Sequence, residues 1–592
     1  MLFGCFHLNK KKTSLENLPF FNDFKSENLL TFQYFIPGIS FFSNLGKKGI
    51  KKNTDVFFSS EKKDVLVLFS GQIYNQEDLY KELAFPKKVP TPEFVAKAFK
   101  EWGPSFVKKL NGDFAIAIFL SKVSELLLFR DHLGIQPLSY VVHNEEFSFS
   151  SDYLHLSRIF CSKEKLQESW LLKNFNITDL EKTPNQKVRK VKPGHFLRVA
   201  NGKISQEKYW FPEKIKTDFS IDQETAIQEL KTLLEDSVRI RSDQRYQAAA
   251  HLSGGLDSGL IALLARKNYR DQNLFLGYSY SPKVFPIDNE KKDERNLVNK
   301  IAEAGRIEPV FCNLTKPKVL QYLHELHLNY GAFWEEDLLS QAQKENIDII
   351  FSGWGGDQFL SASTAGIYSE LFFSLKWRVF KDNLWGLSVK SILRVFIYEI
   401  IFPWFGWVNP GSKKDQKERT RYIKKDSKKR NRLEINKIYK FRSRKDFYLN
   451  MIYGYSIAER CEDAYVQGFR HGIEYRYPLL DIRIIEYVMK LPTQLLMRKG
   501  VSRIIMKEIW KEYLPEKFLL ETSKLDFVHY SSYFSMLREL APDLIKEVSQ
   551  WKENPDLSFI DFQLLEKDIE KIYKHNEESD NYLERSLYFF KM

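Results

Sequence analysis

Residues able to do chemistry concentrate in one short run, HLSGGLDSGLIALLAR at positions 251–266. A buried strand ends at Leu252, Ser253-Gly254-Gly255 turns tightly, and Asp257-Ser258 opens a helix. Glycine lets the backbone approach a phosphate chain, and the free N–H groups of a helix start attract its negative charge. The hydroxyls of Ser253 and Ser258 add donors for phosphate oxygens. Asp257 is an anion beside such a site, suited to orienting the loop or holding Mg2+. No G-K-[ST] follows, so this is not a Walker A loop. An ordinary strand-to-helix turn is the alternative. A second glycine-rich turn, Ser352-Gly353-Trp354-Gly355-Gly356-Asp357, ends the apolar run IDIIFS.

The elements around these turns must position them. Helical periodicity runs over Glu224–Arg241, and strand and helix then alternate. The strand AAAHL meets the helix of Ser258–Lys267, and LFLGYSY precedes a helix at Glu294–Ala304. PVFCNL, two helices and IDIIFS follow. Repeated strand-turn-helix units imply a parallel sheet with helices on its faces. Such sheets take ligands beyond the C-terminal ends of their strands, where both turns fall.

The first 210 residues read differently. DVLVLFSGQIY, FAIAIFL, ELLLFR and EFSFS predict a layered antiparallel β fold, with one helix near Thr91–Trp102 that Pro92 opens. Beyond Ser361 the chain reads mostly helical. The expected division is a β-rich domain over 1–210, an α/β domain over 211–540 and a helical tail over 541–592.

The 592 residues include 90 Lys plus Arg and 77 Asp plus Glu, a net charge of +13. Hydrophobic content of 43% excludes a disordered chain. Four scattered cysteines without a C-x-x-C pair suggest neither a zinc site nor a disulfide framework, and fit a reducing cytoplasm. No signal peptide is read at the start, and Arg394, Glu399 and Pro403 interrupt the most apolar stretch, Ser391–Val408. The charge is local. Residues 412–445 hold 16 Lys plus Arg against 4 Asp plus Glu, leaving the rest nearly neutral. With the aromatic stretch before it, the segment 391–445 reads either as a solvated insertion or as a surface for an acidic peptide or an anionic membrane. No RNA-binding module is recognisable, so no nucleic-acid partner is expected.

LNGDFAIAIFL, RDHLGIQPLSY, FSFSSD and KPGHFLRVANGKISQEKYW stand in order in the first half. LSGGLDSGLIA, FSGWGGDQF, GIEYRYPLLD and SKLDF follow in the second. This series, from about Asp64 to Phe527, resembles the asparagine-synthetase-like family, which includes β-lactam synthetase and lasso-peptide cyclases. The resemblance implies a fold of class α/β plus α+β. The first domain would be glutaminase-type, of the N-terminal-nucleophile hydrolase kind. The second would be a PP-loop ATP pyrophosphatase domain, similar to adenine nucleotide α-hydrolases, with a helical extension.

The resemblance further implies ATP and Mg2+ as cofactors. Leu252, Ser253, Gly254, Gly255, Asp257, Ser258, Ser352 and Gly353 would bind ATP and pyrophosphate, and Asp257 and Asp357 the metal. Asp357 and Lys524 carry over as catalytic residues, Lys524 with one residue inserted ahead of it; an exposed structural lysine is the alternative. Trp354, Glu459, Glu462 and Arg476 are candidates for the substrate pocket. For Glu459 and Glu462 the competing reading is a solvated helical face, and for Arg476 a structural pair with Asp481.

Several departures bear on the activity. The family's glutaminase nucleophile is a cysteine directly after the initiator Met, and here that position is Leu2. Cys5 cannot replace it, because its nitrogen is an internal amide. The glutamine-binding segment reads Ser70-Gly71-Gln72-Ile73-Tyr74-Asn75, Pro92 stands where an acidic residue is expected, and the R-G-P-D segment is missing. The expectation is an inactive glutaminase lobe. In the synthetase half Trp354 replaces a glutamate, and an indole takes no proton but can form an apolar wall. The implied activity is a carbon-nitrogen ligase that adenylates a carboxylate, releases pyrophosphate and couples an amine. Lasso-type macrolactam formation is its most specific version, with a precursor peptide, a leader-binding protein and a protease as partners. Other readings are an asparagine synthase, an amidotransferase acting on a sugar acid, a tRNA-modifying PP-loop protein and an inactive scaffold.

Overall fold

A computed structural model describes residues 2–7, 32–36, 39–43, 56–84, 88–143, 145–161, 180–183, 185–284, 293–325, 333–361, 364–407, 421–430, 441–454, 457–514 and 527–575, with single positions at 410 and 417. The chain divides into two compact units. The first comprises residues 1–170, 179–214 and 456–474, and the second comprises 171–178, 215–455 and 475–592.

The first unit is built on two six-stranded sheets. One contains β1 (Leu2–His7), β2 (Phe32–Ile36), β3 (Ile39–Ser43), β8 (Ser139–His143), β9 (Glu146–Ser150) and β10 (Arg189–Lys190), in the order β10-β8-β9-β1-β3-β2. The other contains β4 (Phe57–Ser59), β5 (Val65–Ile73), β6 (Gly112–Leu120), β7 (Glu125–Arg130), β11 (His195–Ala200) and β12 (Lys203–Lys208), in the order β12-β11-β7-β6-β5-β4. All their named pairings are antiparallel.

Alternation explains the layering. Leu66 and Leu68 of β5 pair with Phe119 and Ala117 of β6. These residues, with Leu126 and Leu128 of β7, bury against Leu2, Phe6, Phe147 and Phe149 of the first sheet. The intervening Val67, Ile116, Ile118 and Phe129 are also buried, so the second sheet is apolar on both faces. Helix Thr91–Trp102 packs against β5, burying Phe94, Val95 and Ala98. Pro92 occupies its first turn, as expected.

The second unit carries a five-stranded sheet in the order β15-β14-β13-β16-β17. Its strands are β13 (Ala248–His251), β14 (Leu276–Pro282), β15 (Glu308–Cys312), β16 (Ile349–Phe351) and β17 (Glu474–Arg476). β13 pairs in parallel with β14 and β16, and β14 with β15. The four strands read from sequence are present, as are helices Leu256–Asn268 and Glu294–Gly305. β17 was not anticipated; three residues inside a helical region give no periodic signal.

Two boundaries need correction. The tail does not begin at 541, because helix Phe527–Trp551 runs through that position and packs on helix Phe562–His575. The basic segment 412–445 lies largely outside the described residues, but its residues 421–424 are docked rather than solvated. Arg421 pairs with Asp568 at 2.7 Å, Ile423 bridges to Ile560, and Lys424 Nζ donates to the Ser558 carbonyl at 2.7 Å.

Candidate active site

The two glycine-rich turns come together beyond the ends of β13 and β16. Leu252 extends the sheet by donating its N–H to the Tyr278 carbonyl at 2.8 Å, and Ser352 does so by donating to the Arg476 carbonyl at 2.9 Å. Ser253 and Ser258 face each other across the first turn, with Oγ to Oγ at 2.6 Å. The Gly255 N–H donates to Ser253 Oγ at 3.1 Å, and the Ser253 N–H to Ser258 Oγ at 3.2 Å. The hydroxyls therefore hold the loop in the shape that offers backbone N–H groups at the start of helix Leu256–Asn268.

Glycine at 353 and 356 reflects contact between the turns. A Cβ on Gly353 would lie 2.6 Å from the Ser258 nitrogen, and one on Gly356 would lie 2.2 Å from the Asp257 carboxyl carbon. With those contacts open, Asp257 and Asp357 converge on Ser361. The Ser361 hydroxyl lies 2.6 Å from Asp257 Oδ2 and 3.5 Å from Asp357 Oδ1. Asp357 Oδ1 also accepts from Arg503 Nη2 at 3.0 Å. Two carboxylates and a hydroxyl form an all-oxygen donor set, which suits a hard divalent cation such as Mg2+. A metal held by Asp257 and Asp357 would polarise phosphoryl oxygens.

Sequence reasoning missed Ser361 and Arg503, since neither stands in a recognisable spacing with Asp257. Asp293-Glu294 matches the family's D-E before a helix, with a favourable acidic first turn as the alternative reading. Asp293 is indeed the N-cap, accepting from the Arg295 N–H at 2.9 Å. Glu294 Oε1, however, accepts the Gly254 N–H of the phosphate-type loop at 2.7 Å. Behind the loop, buried His251 lies with Nε2 3.4 Å from Glu335 Oε1, and both Tyr280 and Tyr475 donate to the same buried carboxylate.

Trp354 follows β16, and its N–H donates to Ser352 Oγ at 3.2 Å. Its indole Nε1 is buried without an acceptor among the described residues. Arg476 serves the strand edge through its carbonyl, and its buried guanidinium, with Arg245, helps hold the Asp243 carboxylate low against the opposing effect of burial. The Asp481 carboxylate goes to Arg241 at 2.7 Å and Arg483 at 2.9 Å. Burial works against that charge, but Arg241 and Arg483 outweigh it and hold the carboxyl well below the usual range. Lys524 lies outside the described residues.

Glu462 requires correction as a pocket residue. Its helix, Ile457–His471, which also carries Glu459, groups with the first unit. Both Glu462 oxygens are committed, Oε1 to Arg130 Nη2 at 2.5 Å and Oε2 to Lys190. Burial alone would raise the Glu462 carboxyl, but Lys190 and Arg130 hold it below its ordinary value. The residue is a buried structural anion, neither a base nor part of a solvated face. Glu459 is half-buried on the same helix, where its charge helps burial raise the Asp463 carboxyl.

In the first unit, Leu2 is buried in β1 and its N–H donates to Ser151 Oγ at 2.8 Å. Cys5 is fully buried in the same strand, and burial pushes its thiol up to about 12.

A parallel sheet with a Ser-Gly-Gly loop and paired carboxylates, in a chain that also carries a two-sheet antiparallel unit, fits the ATP-dependent amidotransferase family of the ligase class. The chain belongs to the asparagine synthase family: residues 229–587 match that family, and residues 49–210 match the glutamine amidotransferase domain. Asparagine synthetase [glutamine-hydrolyzing] 3 of Bacillus subtilis is 22% identical over 519 residues, covering 82% of this chain and 77% of that protein. Asparagine synthetase [glutamine-hydrolyzing] 1 of the same organism is 23% identical, covering 79% and 76%. The amidase chry2 of Gibberella zeae is 29% identical over 217 residues, covering 35% of this chain and 31% of the amidase. Among the described residues no helix is long and apolar enough to cross a membrane.

Proposed function

We propose that the chain is an AMP-forming amide ligase whose amine does not come from glutamine hydrolysis in its own first domain. The observation that carries the reading is the convergence of Asp257 and Asp357 on Ser361 at the mouth of the Ser-Gly-Gly loop. A carboxylate oxygen attacks the α-phosphorus of ATP, the bond to the β,γ-diphosphate breaks, and an acyl-adenylate forms. The amine nitrogen then attacks the acyl carbon, AMP leaves with the C–O electron pair, and the amine sheds a proton. The N–H groups in the first turn of helix Leu256–Asn268 would stabilise the departing pyrophosphate, with Ser253 and Ser258 holding the loop that presents them.

Leu2, buried with its N–H on Ser151, and Cys5, whose thiol burial pushes up to about 12, offer no nucleophile in β1 and support an amine taken directly from solution or from the substrate itself. The most specific version is macrolactam formation within a peptide, joining an Asp or Glu side chain to the N-terminal amine. Trp354 supports a substrate with an apolar face at that place, because an indole carries no charge and takes no proton.

ATP–pyrophosphate exchange tests the reading, with acidic peptides, aspartate and a sugar acid offered in parallel. Exchange with a peptide, and a product lighter by one water, is the expected result. Glutamine-dependent amidation of aspartate, with glutamate released in step, overturns the claim about the amine. Absence of exchange with every carboxylate overturns the ligase.

A further inference from the structure

Four of the chain's 11 tryptophans fall within residues 377–407, and all four are open to solvent. Trp377 and Trp404 are each 42% exposed, Trp407 54% and Trp385 79%. The rod beneath them begins as helix Val389–Arg394, widens to a π-helix over Val395–Ile401 and closes as helix Phe402–Phe405. The wide turn immediately precedes Pro403, whose missing N–H and ring disturb the turn before it. One side of the rod is used. Ile400 packs with Ile367, Tyr368, Leu371 and Phe380, and Val395 and Phe396 add to that cluster.

Side chains on the other side stay exposed. Leu393, Ile397, Ile401 and Phe405, four residues apart, are 38–69% exposed. Ring contacts join the aromatic residues of the patch into clusters. Trp404 lies 4.0 Å from Phe373, Phe372 lies 4.7 Å from Trp377, and Phe405 stacks on Trp407 at 5.2 Å, centroid to centroid. Single exposed apolar residues are ordinary, but a patch of clustered aromatic residues is not.

Charge selects the occupant. Between Phe373 and Trp407 there are five basic residues and two acidic ones, and the basic side chains of Arg378, Lys381, Lys390 and Arg394 are exposed. Arg442 sits over the Trp404 ring at 5.3 Å. Of the two acids, Glu399 is half-buried and burial raises its carboxyl. The adjoining 34 residues add a net charge of +12. Tryptophan and long aliphatics interleaved with Lys and Arg match the boundary of a bilayer, where rings sit at headgroup level and cations meet phosphate.

We propose that this face of the second unit lies on an anionic lipid surface, inserting Leu393, Ile397, Ile401 and Phe405 to headgroup depth without spanning it. This goes beyond the ligase reading and is independent of it.

Flotation of the full chain with vesicles tests the proposal, using pure phosphatidylcholine against mixtures containing roughly one-third phosphatidylglycerol. Binding is expected to the anionic vesicles, with a blue shift of tryptophan emission and weakening at high salt. Each basic residue near an anionic surface raises partitioning roughly fivefold. The K390E/R394E variant should therefore lose at least about 25-fold. The W404S/F405S variant should lose tenfold or more, as about an order of magnitude follows from withdrawing two rings. Both should keep the wild-type circular dichroism spectrum. Lipids carrying a quencher at headgroup depth should quench the wild-type tryptophans, a readout that needs no variant. Failure to bind anionic vesicles, absence of quenching, or variants that bind as wild type each overturn the proposal. Salt-sensitive binding to tRNA or to an acidic polypeptide without vesicle binding does so too.

Discussion

Glu462→Gln probes the most deeply buried charge cluster described. The substitution keeps the side chain's shape and removes its charge. Arg130 retains three carbonyl acceptors, those of Gly134 and Val191 at 2.8 Å and Gln136 at 2.9 Å. Lys190 loses its full charge partner and keeps the Tyr153 ring 5.2 Å from its ammonium, the field of Asp463 and at most a neutral amide oxygen. Breaking a buried pair by neutralising one member costs about 3–5 kcal/mol, and the surviving contacts place this case near 3 kcal/mol. A 592-residue chain does not unfold in one step, so the readout should be local. Hydrogen exchange of the amides in helix Ile457–His471 should accelerate by roughly 150-fold, the equivalent of that free energy. Adding Lys190→Met removes the stranded cation and should restore most of the protection. Acceleration of less than about threefold, or a double variant no better protected than the single one, would refute the buried-anion assignment.

Other outcomes follow from the same geometry. Because Glu462 has a folded pKa below its unfolded value, its contribution is present above about pH 4.3. It is lost as pH falls from there through the folded value, so protection of helix Ile457–His471 should drop on acidification and not on alkalinisation. Cys5, with a thiol near 12, should resist iodoacetamide at pH 8 in the native chain and react after denaturation, as peptide mass spectrometry would show. Gly356→Ala drives a methyl into the Asp257 carboxyl and should cut ATP–pyrophosphate exchange by about 100-fold or more while leaving the circular dichroism spectrum unchanged. Glu294→Gln weakens the clamp on the Gly254 N–H without removing it, and should shift the KM for ATP more than kcat.

Local pattern made much of this molecule legible. Glu125–Arg130 and Glu146–Ser150 were read as strands with their observed limits, because turns bracket alternating apolar residues. The Ser253–Ser258 loop was legible because its turn and its two serine hydroxyls lie within six consecutive residues. What escaped were partners that only folding brings together. Glu462 lies 332 residues from Arg130, and Ser361 lies 104 residues from Asp257. β2 and β3 were missed because their aromatic residues carry no clear polar alternation, and β17 because it has only three residues. Glu462 was misjudged for a related reason. A helix rich in acidic residues reads as solvated unless the buried cations it answers are known.

The discontinuity of the first unit has a consequence for how the chain can be cut. Residues 1–214 look like a self-contained module in the sequence, yet an expressed fragment ending there would lack helix Ile457–His471 and leave Arg130 and Lys190 without their anion. Conversely, deleting the amino-terminal region would strand a buried carboxylate in what remained. A cut at residue 214 would thus leave buried charges without their partners on both fragments, so one helix obstructs fission of the gene at that point.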